Sequence, residues 1–327
     1  MPATQTVDAV DPELDEIPRR ALVDASERTY LEFRKTLTPR WGRMWLALLA
    51  GHLSLVVIAI GVIALSGTSL LTDVALAIFA GAALGYALHY LLLFQHEAAH
   101  YNLAASRRVN DVACDILIGA IVGEGITSYR KIHLDHHRFL GTTTDTERSY
   151  FEAIDRRFVL ESATGIRLAR IMLDRARHTE GESKRRLGFL KPTLVAAAIL
   201  NGTIVIGGLL LGRWPLSVAW LLGMLAFLPL FNSTRQVLEH RSFDADATVN
   251  YATVNHGPVN RLFGSGPLAS TLGGAGFNRH LLHHWDPGVS CTRLNDLERF
   301  LHGTAAGPAL VKRRTTYLST LRRLISR

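Results

Sequence analysis

The chain has 327 residues, of which 48% are hydrophobic, and 36 lysines and arginines against 28 acidic residues give a net charge of +8. This composition excludes an intrinsically disordered chain and a collagen-like repeat. With only 2 cysteines, the chain cannot be a disulfide-stapled scaffold or carry a zinc or iron–sulfur site built from cysteines. Histidine is the unusual residue, with 14 copies that gather in a few short segments.

Four apolar stretches are long enough to cross a membrane as helices of about 20 residues each. They are Met44–Leu65, Val74–Phe94, Thr193–Leu211 and Leu216–Phe231. Only a tight turn separates the members of each pair, so the sequence predicts two helical hairpins with all other residues on one side of the membrane. The predicted fold is an all-α integral membrane protein whose helical cap carries the functional site.

The distribution of basic residues predicts on which side of the membrane the residues outside the hairpins lie. Every lysine and arginine except Arg213 lies in residues 1–43, 96–191 or 234–327. By the positive-inside rule, this side of an inner or cell membrane faces the cytoplasm, together with both termini. Acidic residues precede the first arginine, which does not fit a secretory signal peptide, so the first apolar helix is expected to remain as an anchor.

Composition also divides the chain into three parts. Residues 1–30 are predicted to form a polar tail, residues 31–310 the membrane domain, and residues 311–327 a basic C-terminal tail. A fifth apolar run, Val112–Ile126, is short and contains Asp115 and Glu124. It is typical of an interfacial or re-entrant helix rather than a span.

Three histidine clusters lie on the predicted cytoplasmic side: His96-Glu-Ala-Ala-His100, His133-Leu-Asp-His136-His137 and His280-Leu-Leu-His283-His284. Residues three and four apart share one side of a helix, so the rings of each cluster are predicted to project together. Imidazole binds iron, zinc, copper and nickel, which indicates a first-row metal without naming it. Eight donors are twice what a four-coordinate zinc ion uses, which favours two ions. His240, just beyond the fourth span, is a ninth candidate ligand.

These clusters, in this order around two hairpins, resemble the histidine boxes of the membrane fatty acid desaturase/hydroxylase superfamily. The resemblance runs from about Met44 to Leu301 and implies a non-haem di-iron centre that activates O2 at the cytoplasmic ends of a four-helix bundle. The ligands it implies are His96, His100, His133, His136, His137, His280, His283 and His284. Glu239-His240 resembles an additional ligand element of the alkane-hydroxylase branch. Asn278 is the first residue of the family's last box pattern. Trp285-Asp286 depart from this pattern, because they stand where an apolar-aromatic pair is expected.

Polar groups near the boxes are predicted to orient the imidazole rings by hydrogen bonding to their N–H groups. The candidates are Glu97, Asp135, Asp145, Glu239 and Asn278. His89 precedes His96 by seven residues and therefore shares its helix face about 10 Å deeper in the membrane. It is expected either to line a substrate tunnel or to form a hydrogen bond to a neighbouring helix.

The activity implied by the resemblance is oxidation of a lipid-like substrate with O2 and two external electrons. Desaturation of a fatty acyl chain is the leading candidate reaction. Hydroxylation, ketolation and oxidative decarboxylation to a terminal alkene use the same scaffold and remain alternatives. The chain has no cytochrome-b5-type His-Pro-Gly-Gly motif and too few cysteines for a rubredoxin-like site. We therefore expect a separate ferredoxin or rubredoxin, with its reductase, as electron donor. The basic surface favours such an acidic partner and anionic membrane lipid over nucleic acid.

Two other classes of protein remain open at this point. His96-Glu97-Ala-Ala-His100 matches the signature of zinc proteases, with Glu97 as general base, although that leaves the other two clusters unexplained. A metal transporter would place its ligands within the spans near the bilayer midplane, whereas these clusters lie at and beyond helix ends.

Overall fold

The computed structural model describes residues 14–173 and 191–325. Over these residues the protein is all-helical and has no β-strand, as the sequence predicts. The α-helices are α1 Tyr30–Lys35, α2 Trp41–Leu65, α3 Leu70–Ala99, α4 Arg107–Cys114, α5 Ala120–Val122, α6 Ile126–Phe139, α7 Arg156–Ala163, α8 Pro192–Leu210, α9 Trp214–Leu222, α10 Leu228–His240, α11 Pro267–Leu272, α12 His280–Trp285, α13 Leu294–His302, α14 Gly307–Lys312 and α15 Tyr317–Ile325. Residues 166–173 are also helical. Two π-helical turns occur at Asp115–Gly119 and Gly223–Phe227.

Within the described part of the chain, four helices are long and apolar enough to cross a membrane, which confirms the prediction of four spans. The first, second and third spans are α2, α3 and α8, and the fourth is the continuous helical stretch Trp214–His240 formed by α9, a π turn and α10. The second and fourth spans are about half buried within the protein, whereas the first and third expose most of their surface. The second and fourth spans are called the inner spans below. Both extend beyond the predicted apolar stretches, and these extensions carry His96 and His240.

Small residues allow the two inner spans to pack closely. Gly81 and Gly85 of α3 face the fourth span, where a Cβ atom added at Gly85 would overlap the Cβ atom of Phe227 and approach the backbone of Gly223. Close approach of this kind is how helices associate in a membrane, because the lipid supplies no hydrophobic driving force between them. The closely packed second and fourth spans therefore hold the histidines at their ends in fixed positions.

The two short turns that close the hairpins meet at the same end of the bundle. The Arg213 guanidinium donates a hydrogen bond of 2.7 Å to the carbonyl oxygen of Ser66. Nearby, the Asp73 carboxylate accepts a hydrogen bond of 2.9 Å from the backbone N–H of Gly67. Since α3 leaves this end and the fourth span also leaves it, the histidine-bearing ends of both helices lie at the opposite end.

Both predicted tails pack against the rest of the chain where the structure describes them. Leu14, Leu22 and Tyr30 are buried in one hydrophobic cluster, so the predicted polar tail over residues 1–30 does not hold from Leu14 onward. At the other end, α15 buries Tyr317 and Leu324 in a second cluster, which replaces the predicted basic tail. In both segments a few apolar residues among many charges bury enough surface to order the chain.

The apolar run 112–126 folds as α4, a π turn and α5, and it packs beside the third span. His52 of the first span ties this segment down. Its Nδ1 and Nε2 atoms lie 2.9 Å from the carbonyl oxygens of Leu48 and Leu117, respectively. His52 is therefore a structural link between the first span and the segment that lies against the bundle.

Candidate metal centre

Four helical elements bring the nine predicted histidines together at one end of the bundle. His96 lies in the last turn of α3 and His100 caps the end of that helix. His240 is the last residue of α10, and the remaining six lie three each on α6 and α12. All nine side chains are buried or half-buried. The cluster is thus an interior site built at the ends of the two inner spans.

Five histidines form the first group, in which one ring nitrogen of each residue lies within 4.8 Å of all the others. Its members are His96, His100, His133, His137 and His283. The Nε2 atom of His133 lies 2.8 Å from that of His100 and 3.0 Å from that of His137. The Nε2 atom of His137 also lies 3.0 Å from that of His283. The ring nitrogens of this group therefore converge on one small volume.

Four further histidines form the second group, in two overlapping sets that share His240. One set is His136, His240 and His284, and the other is Glu239, His240 and His280. The Nε2 atoms of His240 and His280 lie 2.9 Å apart. The two groups adjoin each other, because the rings of His137 and His284 stack with centroids 4.2 Å apart.

The donor set fits metal ions. Several buried ring nitrogens have no hydrogen-bond partner within the described part of the chain: both nitrogens of His96, Nδ1 of His280, Nδ1 of His283 and Nε2 of His284. Buried polar atoms are normally paired, so an unpaired set on this scale indicates a missing binding partner. Nitrogen ligands held at about 2.1 Å from one ion and at right angles lie about 3 Å apart, which matches the Nε2–Nε2 separations.

Each three-histidine box contributes to both groups, which refines the prediction that its rings project together. His133 and His137 join the first group while His136 joins the second, and His283 likewise separates from His280 and His284. Residues four apart on a helix are rotated by only about 40°, whereas adjacent residues are rotated by about 100°. The box spacing therefore lets one helix serve two neighbouring sites.

A family model described as "Fatty acid desaturase" matches residues 72–315, a range that contains all nine histidines. The chain belongs to the fatty acid desaturase family. No solved structure matches it.

In this desaturase-family chain, three of the rings are oriented by an acceptor at Nδ1. The Nδ1 atom of His136 lies 2.8 Å from an Asp145 carboxylate oxygen, and that of His133 lies 3.2 Å from Glu147. For His240 the acceptor is the carbonyl oxygen of Val259 at 2.9 Å. An acceptor at Nδ1 fixes the proton there and leaves Nε2 free to bind a metal. Asp145, one of the predicted orienting groups, thus contacts the His136 ring.

Three other predicted orienting groups, Glu97, Asn278 and Asp135, form no hydrogen bond to an imidazole among the described residues. Glu97 accepts a hydrogen bond of 2.9 Å from the backbone N–H of Cys291, and its carboxylate is 3.9 Å from the ring of His96. Asn278 donates to the carbonyl oxygen of Gly264 at 2.8 Å. Asp135 is half-buried on α6, and no described hydrogen bond joins it to an imidazole. The hydrogen bonds of Glu97 and Asn278 thus connect to loop backbone.

Glu239 lies closer to the centre than a purely orienting role requires. One of its carboxylate oxygens lies 2.8 Å from the Arg235 guanidinium and 3.6 Å from Nε2 of His280. The other is buried and has no partner in the described residues. The Glu239 carboxylate is thus placed either to orient the His280 ring or to serve as a metal ligand itself.

Burial keeps most of the rings outside the spans neutral. It lowers the pKa of His283 and His284 well below the usual range, and the neighbouring histidines lower these pKa values further. His136 is the exception: burial lowers its pKa, but the carboxylates of Asp145 and Glu147 outweigh this and raise the pKa overall. Neutral imidazole is the form that binds metal, so the environment favours ligation.

Sequence reasoning missed two residues that position the first group. Glu147 accepts hydrogen bonds from His133 and from the side-chain amide of Gln236, the latter at 2.6 Å. Arg130 donates to the carbonyl oxygens of Ala98 and Ala99 at 3.0 Å, which fixes the end of α3 against α6. Arg130 precedes His133 by three residues on a predicted helix, so the two side chains share one side of it. This spacing was the signal in the sequence that could have identified Arg130.

The departure from the family pattern at Trp285-Asp286 has a structural explanation. Asp286 accepts a hydrogen bond from the Tyr30 hydroxyl and lies 2.8 Å from the Arg34 guanidinium. The guanidinium of Arg19 stacks on the Trp285 ring at 4.8 Å. These two residues therefore bind the N-terminal segment directly after the last histidine box.

His89 is buried between the inner spans, and its Nδ1 atom lies 2.5 Å from the Asn232 side-chain oxygen. This is the interhelical hydrogen bond that the sequence analysis considered. A role for His89 along a substrate tunnel stays a prediction.

Proposed function

We propose that the protein is an O2-dependent oxidoreductase that holds two irons and desaturates a fatty acyl chain. The observation that supports this best is the pair of adjoining imidazole groups, five residues and four residues, at the ends of two membrane helices. A single zinc ion would leave most of these donors unused. Two nitrogen-rich sites side by side are suited to two redox-active ions acting together.

In this proposal the first ion is held by the first group, and the second by His136, His240, His280 and His284. When bound, the two irons would supply the activation of O2 that removal of hydrogen from an unactivated carbon requires. The protein's own residues fix the geometry: Asp145 and Glu147 hold protons at Nδ1 of His136 and His133 and so direct each Nε2 inward. The burial of the rings keeps bulk water from the reacting atoms.

The proposed reaction balances with an external reductant. Two neighbouring carbons of the acyl chain each lose one hydrogen atom and form a double bond. O2 takes up these two hydrogens together with two electrons and two protons, and leaves as two molecules of water. The electrons would come from a ferredoxin or rubredoxin with its reductase, and the basic surface of the protein would attract such an acidic donor.

We further propose that the histidine centre and both termini face the cytoplasm from an inner or cell membrane. The distribution of lysine and arginine supports this orientation, since only Arg213 lies in the short turns at the other end. An apolar chain would then enter the bundle from the bilayer, and its polar head would remain near the basic side.

The test is product analysis with labelled oxygen. Iron-loaded protein, a ferredoxin, its reductase and a panel of fatty acyl substrates are incubated under ¹⁸O2, and lipids and water are analysed by mass spectrometry. Desaturation predicts a product that has lost two hydrogens, with all label in water. Label in the product would instead identify a hydroxylase or ketolase, and a terminal alkene with released carbon dioxide would identify a decarboxylase.

Two variants control this experiment. His100→Ala removes a member of the first group and should abolish product formation. His302→Ala removes an exposed histidine outside both groups and should leave the product and its yield unchanged. Product formed equally by the His100→Ala variant would contradict the assignment of the reaction to this centre.

A further inference from the structure

A separate cleft of about 510 Å³ lies between residues 24–40 and residues 293–303. None of the nine clustered histidines lines it. Its charged lining consists of Arg28, Arg40, Arg293, Arg299, Asp24 and Asp296. Four arginines against two aspartates give the lining a net charge of +2, which suits an anionic ligand.

Three of the four arginines converge because they share one carboxylate, that of Asp296, whereas Arg28 pairs with Asp24. Asp296 lies 2.8 Å from the Arg40 guanidinium and 2.7 Å from that of Arg293, and it also pairs with Arg299. A single carboxylate holds the three guanidinium groups together but balances only one of their charges. The side chain of Arg299 is 72% exposed and that of Arg40 is 39% exposed, so both remain accessible to a ligand.

The floor of the cleft is apolar. The rings of Phe33 and Phe300 stack with centroids 4.2 Å apart, and the guanidinium of Arg28 lies 4.8 Å above Phe33. Leu37 completes this surface. A cationic rim over an apolar floor is suited to a molecule that carries both an anion and hydrocarbon.

The position of the cleft next to the start of the first span points to the kind of molecule. Arg40 directly precedes the first span, and the outward-facing Leu46 lies six residues further along, about 9 Å by the rise of an α-helix. The head-group layer of a bilayer is about 5–7 Å thick on each side of the hydrocarbon core. Extended arginine side chains at this position therefore reach the level of the phospholipid phosphates.

We propose that this cleft binds the phosphate of an anionic membrane phospholipid. Arginine suits this role, since its planar guanidinium can donate two parallel hydrogen bonds to phosphate oxygens. The glycerol and the upper acyl carbons would lie against the phenylalanine floor. The proposal does not depend on the reaction that the histidine centre catalyses.

Lipid binding to the iron-loaded full chain in a neutral detergent tests this. The probe is short-chain phosphatidylglycerol, and its dissociation constant is measured for the unchanged protein and for the Arg28→Gln and Arg299→Gln variants. Each variant should weaken binding by about 10-fold, because it removes a charge-assisted contact to phosphate. The side chains of Arg28 and Arg299 are 45% and 72% exposed, so folding should persist, and an unchanged unfolding temperature checks this.

The matched control is Arg157→Gln. Arg157 is 75% exposed and pairs with Glu161 within one helix, much as Arg299 pairs with Asp296, but it lies outside the cleft. Its variant should bind the lipid as the unchanged protein does. Equal weakening in all three variants would overturn the proposal, because it would show general surface electrostatics.

Two further probes distinguish the source of the anion. Diacylglycerol, which lacks phosphate, should bind at least 10-fold more weakly than phosphatidylglycerol. Inorganic phosphate should likewise bind more weakly, since it cannot contact the apolar floor. Inorganic phosphate that binds as tightly as the lipid would overturn the assignment to a phospholipid.

Discussion

The Nδ1 atom of His136 lies 2.8 Å from a carboxylate oxygen of Asp145, and both side chains are buried. The same carboxylate accepts hydrogen bonds from the Tyr150 hydroxyl and from the backbone N–H groups of Gly141 and Glu147. Because these three other donors fix the carboxylate, it in turn fixes the His136 ring. The loop that follows α6 is thus part of the architecture of the centre.

Replacing Asp145 by asparagine should reduce the iron affinity of the second group. Loss of such an orienting partner typically lowers metal affinity by about 10–100-fold. We expect iron content to fall from about two toward one per chain after dialysis against a weak chelator. Asp135→Asn, on α6 next to His136, provides the control, since no described hydrogen bond joins Asp135 to a ring. Equal iron retention in both variants would contradict the role of Asp145.

His240→Ala tests the ninth histidine. His240 belongs to both overlapping sets of the second group, so its loss removes a donor that neither set replaces. Turnover should be abolished, and iron content should approach one per chain, with the bundle still inserted in the membrane. His302→Ala should behave as the unchanged protein. Full iron content and activity in the His240→Ala variant would exclude His240 from the centre.

The close approach of the inner spans predicts a sharp contrast between two glycines in membrane helices. Gly85→Ala places a methyl group against Phe227 and the fourth-span backbone, and overpacking of this kind costs about 1–3 kcal/mol. Gly61→Ala meets no atom within 4 Å and removes a glycine from a helix interior, which should leave stability unchanged or raise it. Unfolding temperatures in detergent measure both. Equal effects would contradict the proposed tight packing.

Local spacing in the sequence was sufficient to predict the spans and the candidate ligands. The apolar stretches are continuous, and the histidines of each box lie within one helical turn, so no long-range information was needed. Assignment of the rings to two groups was not predictable, because it depends on how α6 and α12 are rotated against the inner spans. Glu147 was missed for a similar reason: it lies in a loop with no periodic pattern.

The ends of the chain show a second limit of sequence reasoning. Leu14, Leu22 and Tyr30 are separated by many charges, so no apolar period reveals that they bury against α12 and α13. The partner that orders them is Trp285-Asp286, more than two hundred residues away along the chain. A composition average over residues 1–30 therefore predicts a tail where the structure has a packed segment.

The pKa shifts predict acid sensitivity of the metal-free protein. Burial lowers the pKa values of six clustered histidines outside the spans, His100, His133, His137, His280, His283 and His284, whereas unfolded histidines bind protons below about pH 6.5. Each therefore contributes stability that is present above that pH and lost as the pH falls, by about 1.4 kcal/mol per pH unit. His136 opposes this trend: its pKa is raised, so its contribution is lost as the pH rises.

Six lowered pKa values outweigh one raised value, so the unfolding temperature of metal-free protein in detergent should fall steeply between about pH 6.5 and 5. Thermal unfolding followed by circular dichroism at a series of pH values measures this. An unfolding temperature that is constant or rises on acidification would contradict the burial of neutral imidazoles.

Elemental analysis of detergent-purified protein from cells grown with ample iron tests the central claim most directly. The two adjoining groups of imidazole predict about two irons per chain, both lost when the donors of both groups are replaced. One zinc per chain, with a metal-free protein that cannot take up iron, would contradict the di-iron oxidoreductase and favour a zinc protease built on His96 and His100.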